Sequence, residues 1–265
     1  MKRISICIST IDDRIHGIRN LLDQALPEAE YTVVHQITNL QTYQAFYQDY
    51  PAVIFIPMQG KGLSRSRNLA LQCATAEWVY LCDDDVIIRN NLSQIAATYG
   101  DKYPDAGILC CQLQTSEGDP FKSYRAAATN LSIHAVGSIS SAEILIRRTA
   151  IQQGHIRFDE RFGLGAEFIS GEEYLMLRRA MKLGCKVQYV PEVIAIHPAL
   201  STGTRYTADL VQSKGAIIAA RAGSLYLLFN LIYAWRKWPE YKDSMQITAF
   251  LNYIYSGSKR YLHHE

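Results

Sequence analysis

What this chain lacks narrows its function before any motif is considered. Its six cysteines (Cys7, Cys73, Cys82, Cys110, Cys111 and Cys185) form no CxxC pair, which leaves out a zinc ribbon or a redox dithiol. Most sit inside apolar runs and read as small core residues of a reduced, cytoplasmic protein. Neither sign of charge is in excess: 27 Lys plus Arg stand against 25 Asp plus Glu, a net +2. No polyanionic partner is called for on that ground, and no nucleic acid is expected. No internal repeat and no low-complexity segment is present. The first apolar stretch, after Met1-Lys2-Arg3, is broken by Ser5, Ser9 and Thr10 and stops at Asp12-Asp13. It is too short for a signal peptide and is expected to be the first strand.

What is present is a 48% hydrophobic chain of 265 residues, enough to bury a substantial core in one domain with an appended tail. Short β-rich runs alternate with helical segments through the first two-thirds, which predicts α/β units around a mostly parallel central sheet. The runs are Ile4 to Ser9, Tyr31 to Ile37, Val53 to Pro57, Trp78 to Cys82, Gly107 to Leu113, Ala142 to Ile146 and Lys186 to Val190. Helical spacing covers Ile15 to Leu26, closed by Pro27, and Leu63 to Cys73. Ser116 to Ser141 is the least regular stretch, and a long irregular segment in a compact domain often covers a binding site.

Four clusters carry chemistry. Asp83-Asp84-Asp85 follows the run Trp78 to Cys82, and in an open parallel sheet that is where ligands bind. Three adjacent carboxylates repel one another unless a cation or water offsets them, so the cluster reads as a divalent-metal site, with a solvated loop or helix cap as the alternative. Gly60-Lys61-Gly62-Leu63-Ser64-Arg65-Ser66-Arg67-Asn68 opens a helix without Walker spacing. Its basic first turn opposes the helix dipole, which points either to an anionic ligand or to a solvated face. Ser170-Gly171-Glu172-Glu173 fits a capping box between Ser170 and Glu173. The competing reading makes one glutamate a general base, and a capping Glu173 would leave Glu172 the freer of the two. His197 precedes a proline as a structural loop residue, or serves as a metal ligand if the fold brings it beside Asp85.

In this order, these elements resemble the inverting family 2 glycosyltransferases, of GT-A (Rossmann-like) fold, over about the first two hundred residues. The resemblance rests on Ile4 to Thr10, Gly62 to Ala70, the aspartate cluster at the place of the family's DXD motif, Gly171-Glu172-Glu173, and Val190-Pro191-Glu192 to His197. It implies that Thr10 lies near the nucleotide of a nucleoside-diphosphate sugar and that Arg67, with Asn68 beside it, contacts base or phosphate. Asp83 would approach the ribose with Asp84 next to it, while Asp85 and His197 would hold Mn²⁺ or Mg²⁺ at the diphosphate. Glu173 aligns with the family's base, usually Asp in a Glu-Asp pair, so Glu172 stays a candidate. The family's acidic pair at the end of the second strand is replaced by Val33-Val34-His35-Gln36-Ile37-Thr38, so uridine as the donor base rests on the family alone. The implied reaction is transfer with inversion to an acceptor hydroxyl, in bacterial surface polysaccharide or glycan synthesis. The alternatives are a nucleotidyltransferase, or a sugar-nucleotide-binding protein without turnover.

The division expected is a transferase domain over 1–205 and a C-terminal helical extension over 206–265. Ala216 to Trp235 is long enough to cross a bilayer, but Arg221 would cost roughly 2.5–3.5 kcal/mol at mid-membrane. One or two helices packed outside the sheet are expected instead. The second reading is a peripheral membrane contact through residues 216–238 at the inner face of the membrane, which would suit a lipid-linked glycan acceptor.

Overall fold

The computed structural model describes residues 4–197 and 206–263. Strands β1 (Ile4–Ile11), β2 (Ala29–Ile37), β3 (Ile54–Gln59) and β4 (Trp78–Asp83) form a parallel half-sheet in the order β3-β2-β1-β4. The other half is mixed. β8 (Ile144–Arg147) runs antiparallel to both β4 and β6 (Ala106–Gln114), and β9 (Lys186–Ile196) returns parallel to β6. Two-residue strands β5 (Ile87–Ile88) and β7 (Thr129–Asn130) pair antiparallel with β9. The sheet is therefore parallel on one side and mixed on the other, because an apolar run marks a buried strand without marking its direction.

The two faces separate by the strand period of two. Ile4, Ile6, Ile8, Trp78 and Tyr80 join one cluster, packed against α4 (Leu92–Lys102) through Leu92 and Ile95. Cys7, Val79 and Leu81 join the other, against Leu71 of α3 (Leu63–Cys73) and Met176 and Leu177 of α6 (Glu172–Lys182). All six cysteines are free thiols, five of them buried. The segment from Ile15 to Leu26 is not one helix: a 3-10 turn, Asp12–Ile18, leads into the short α1 (Arg19–Asp23). Asp12 at the turn's start has φ 44°, and Gly17 weakens helix continuation. α2 (Gln44–Asp49) and α5 (Arg148–Gln152) are short connectors.

The tail forms α7 (Ala208–Ala222), α8 (Tyr226–Tyr241) and α9 (Ile247–His263). The expected boundary at 205/206 falls beside residues 198–205, which lie outside the described residues. α7 crosses α9 at Gly215 and Gly257, where a Cβ on either would run into the partner's backbone carbonyl, so only glycine permits this approach. Ala216, Ile217 and Tyr261 of the pair pack against Phe162 and Phe168, which precede α6.

Candidate functional site

Parallel pairing puts the carboxyl ends of β1 and β4 side by side, with Ser9 opposite Asp83. Thr10 and the three aspartates thus emerge together at one edge, and the aspartates diverge there. Asp84 turns inward: its carboxylate accepts a 2.8 Å hydrogen bond from the Thr10 hydroxyl and is clasped by Arg14. Burial raises the Asp84 pKa above its ordinary value, against these two donors, which lower it. Asp85 turns outward, 47% exposed, with its Oδ1 3.7 Å from Nε2 of His197. The fold therefore does bring His197 beside Asp85.

Asp83 points into a charge cluster centred on Arg67. The guanidinium is 5% exposed and donates through Nη2 to Asp83 (2.9 Å) and to the Ser141 hydroxyl (2.6 Å). Through Nη1 it donates to Glu173 (2.9 Å) and Glu172 (3.4 Å). Burial works against its charge, but Asp83, Glu173 and Glu172 outweigh burial and hold its pKa above the ordinary value. Glu172 is the more deeply buried glutamate. Burial first, then the neighbouring charge of Glu173, pushes its carboxyl up to about 7, while Arg67 pulls the other way. Lys214 of α7 also faces it: burial lowers the ammonium's pKa and Glu172 raises it.

The expected capping box at Ser170 is not formed. Gly171 is the N-cap of α6, at φ 109°, a left-handed conformation that shifts the helix start one residue past the pattern. The Ser170 hydroxyl is buried without a hydrogen-bond partner among the described residues, and Glu173 reaches Arg67 instead. The same Ser-x-x-Glu pattern does form a capping box at Ser140 and Glu143, and that turn presents Ser141 to Arg67. Glycine serves a second purpose nearby. Gly163, at φ 103°, lies against the Glu172 carboxylate, where a Cβ would stand 3.3 Å from its Cδ.

Asn68 is the expected residue that the fold does not bring to the cleft. It follows Arg67 by about 100° around the helix, and its amide pairs with the Phe158 backbone and Glu160 on another face. The other expected residues line one cleft of about 620 Å³, together with Arg14, Gln36, Lys61 and Ser141. None of these four was singled out from sequence. Lys61 lay within a motif already marked, whereas Arg14 and Ser141 become visible only through partners more than fifty residues away.

The sequence model of glycosyl transferase family 2 matches residues 18–166, over half of the chain. The chain belongs to this family. Solved structures agree in fold. Residues 1–349 of Staphylococcus aureus TarS, in complex with UDP-GlcNAc, are 17% identical with a TM-score of 0.64, over 95% of this chain and 79% of that one. The mannosyltransferase PcManGT from Pyrobaculum calidifontis, in complex with GDP-Man and Mn²⁺, is 12% identical with a TM-score of 0.57, over 99% and 88%. No curated protein matches the sequence.

As a family 2 member with a GT-A-like fold, the chain has an architecture suited to sugar transfer from a nucleotide sugar. Asp85 and His197 line the same cleft as Glu172 and Glu173, and Arg67 bonds both the glutamates and Asp83. Among the described residues no group of three or more His, Cys, Asp and Glu side chains gathers to hold an ion. A carboxylate and an imidazole 3.7 Å apart nevertheless fit an ion whose remaining positions are filled by substrate phosphates and water.

Proposed function

We propose that this chain moves a sugar from a nucleoside-diphosphate sugar, with UDP as the family-based choice, to an acceptor hydroxyl with inversion. The observation that carries this reading is the Arg67 cluster, which holds a glutamate pair across one cleft from Asp85 and His197. An inverting transfer needs those two ends: a base for the acceptor proton and a site for the departing diphosphate.

Glu173 takes the proton from the acceptor hydroxyl. It is more accessible than Glu172, with 18% of its side chain exposed against 8%, and Arg67 fixes its carboxylate. Asp83 contacts the ribose from its place beside Arg67, and Thr10 orients Asp84 behind it. Asp85 and His197 would hold Mn²⁺ or Mg²⁺, and the ion when bound would neutralise the diphosphate.

The acceptor in this reading is a glycan or lipid-linked glycan of bacterial surface polysaccharide, met at the cytoplasmic face of a membrane. Within the 34 residues Ala208–Tyr241, an 18-residue window reaches a mean hydropathy of 1.5, enough by length and composition to cross a bilayer. α7 is instead packed against α9, and a break at Gly223, φ 52°, separates it from α8. α8 alone rises about 24 Å over its 16 residues, short of the ~30 Å hydrocarbon layer. It exposes Leu227, Leu228, Phe229, Leu231, Ile232 and Trp235, with Arg236 and Lys237 following, which suits a helix lying in the interface.

A thermal-shift screen of nucleoside diphosphates and sugar nucleotides, with and without Mn²⁺, tests the donor half. Ligand binding raises the melting temperature by mass action. The expected result is a rise with one nucleoside diphosphate that grows when Mn²⁺ is added. No rise with any of them would overturn the reading.

A further inference from the structure

A second cleft of about 800 Å³ shares no lining residue with the first. Arg157, Arg161, Arg178, Arg179 and Lys182 line it, against two carboxylates, Asp159 and Glu160. The carboxylates do not neutralise it. Asp159 is paired to Arg161 at 2.7 Å, and Glu160 accepts from the Asn68 amide. Among the described residues Arg179 donates only to the Gly154 and His155 carbonyls. Arg157, Arg178 and Lys182 take part in no hydrogen bond or ion pair among the described residues.

Arg179 and Lys182 have an ordinary reason to be here, because cations stabilise the C-terminal end of a helix and both lie in the last turn of α6. Arg157 and Arg178 have no such reason. Arg157 precedes α6 in the chain, and Arg178 is half-buried with its guanidinium over the Tyr174 ring, 5.6 Å from the centroid. Arg221, at the end of α7, lies over the same ring at 5.7 Å. Two arginines thus share one aromatic ring next to the cleft, and the ring leaves their charge without a carboxylate partner. The rest of the lining is apolar, with Phe158, Leu175, Met176 and Ala220. Beyond Arg221 the chain passes directly into α8 and its exposed leucines.

We propose that this cleft is a second anion site that binds a phosphate ester, with the arginines around the phosphate and the apolar wall along the attached group. Guanidinium groups suit phosphate because their planar donors pair with two oxygens at once. An apolar wall beside the cations favours an ester with a carbon chain over a bare ion. The site is independent of the donor cleft, so it stands or falls apart from the sugar-transfer reading.

The test is protection from phenylglyoxal, which modifies accessible arginines, with each site followed by peptide mass spectrometry. The full chain is treated in sodium chloride, in pyrophosphate at equal ionic strength, and with phosphatidylglycerol or phosphatidylcholine vesicles. The expected result is at least fivefold slower modification of Arg157 and Arg178, with exposed Arg89 on the far face of the sheet unchanged. Protection by pyrophosphate alone assigns a soluble phosphate ligand and overturns the part given to the apolar wall. Protection by phosphatidylglycerol vesicles, with or without pyrophosphate, assigns a lipid phosphate. Equal protection by phosphatidylcholine and phosphatidylglycerol means shielding by the bilayer and overturns the proposal, as does no protection in any arm.

Discussion

The cleft around Arg67 buries charge, with a guanidinium 5% exposed among three carboxylates, whereas α8 exposes seven large apolar side chains and buries Asn230. Both regions reverse the usual partition between core and surface. They differ in where the compensation lies. Every buried charge at Arg67 finds its partner inside the chain, so the cleft is organised before any ligand arrives. In α8 the buried amide is held by Ser258 at 2.8 Å, while among the described residues the leucines and Phe229 are only about half covered and Trp235 is 77% exposed. The first region compensates its charge internally, and the second leaves its apolar surface to whatever lies outside the chain.

The sharpest way to break this contrast is to remove its internal partner. Arg67→Met leaves Asp83, Glu172 and Glu173 facing one another without a cation, and breaking a buried ion pair from one side costs about 3–5 kcal/mol. Urea denaturation at pH 7.5 should register that loss. The loss should shrink as pH falls and the carboxylates take up protons. An unchanged midpoint would mean that the cluster is held by something other than Arg67.

On the α8 side, Leu228→Ser, Phe229→Ser and Trp235→Ser combined should abolish flotation with anionic vesicles. Their effect on folding stability should stay within about 0.5 kcal/mol per site, as expected for exposed positions. A large loss of stability would show that these side chains already have an internal partner.

The smallest expected effect concerns Glu172. Its raised value of about 7 means that the folded chain binds more protons than the unfolded one between the ordinary 4.5 and about 7. This contribution to stability is therefore present at low pH and lost as pH rises through that window. Glu172→Gln should flatten this part of the stability-versus-pH curve. A curve identical to that of the parent protein would remove Glu172 from the cluster's electrostatics.

Much of the architecture was legible from residue patterns, because burial on both faces leaves continuous apolar runs. Leu63 to Cys73 emerges as a helix with the expected ends, and the aspartates emerge at the carboxyl edge of the sheet. The direction of β8 was not legible, since an apolar run carries no polarity. The role of Arg67 as a hub was hidden for a different reason: its partners lie 16, 74, 105 and 106 residues away. The start of α6 was misjudged by one residue, because the pattern of a capping box does not reveal the left-handed backbone at Gly171.

The most direct test of the central claim is the product released from a nucleoside-diphosphate sugar incubated with Mn²⁺, separated by ion-pair chromatography. The account predicts nucleoside diphosphate from the parent protein. It also predicts a fall of about 10²–10⁴-fold in acceptor-dependent release for Glu173→Gln, in keeping with loss of a general base. Asp85→Ala should abolish release and weaken donor binding as well. Pyrophosphate as the product, or unchanged turnover in Asp85→Ala and Glu173→Gln, would contradict it.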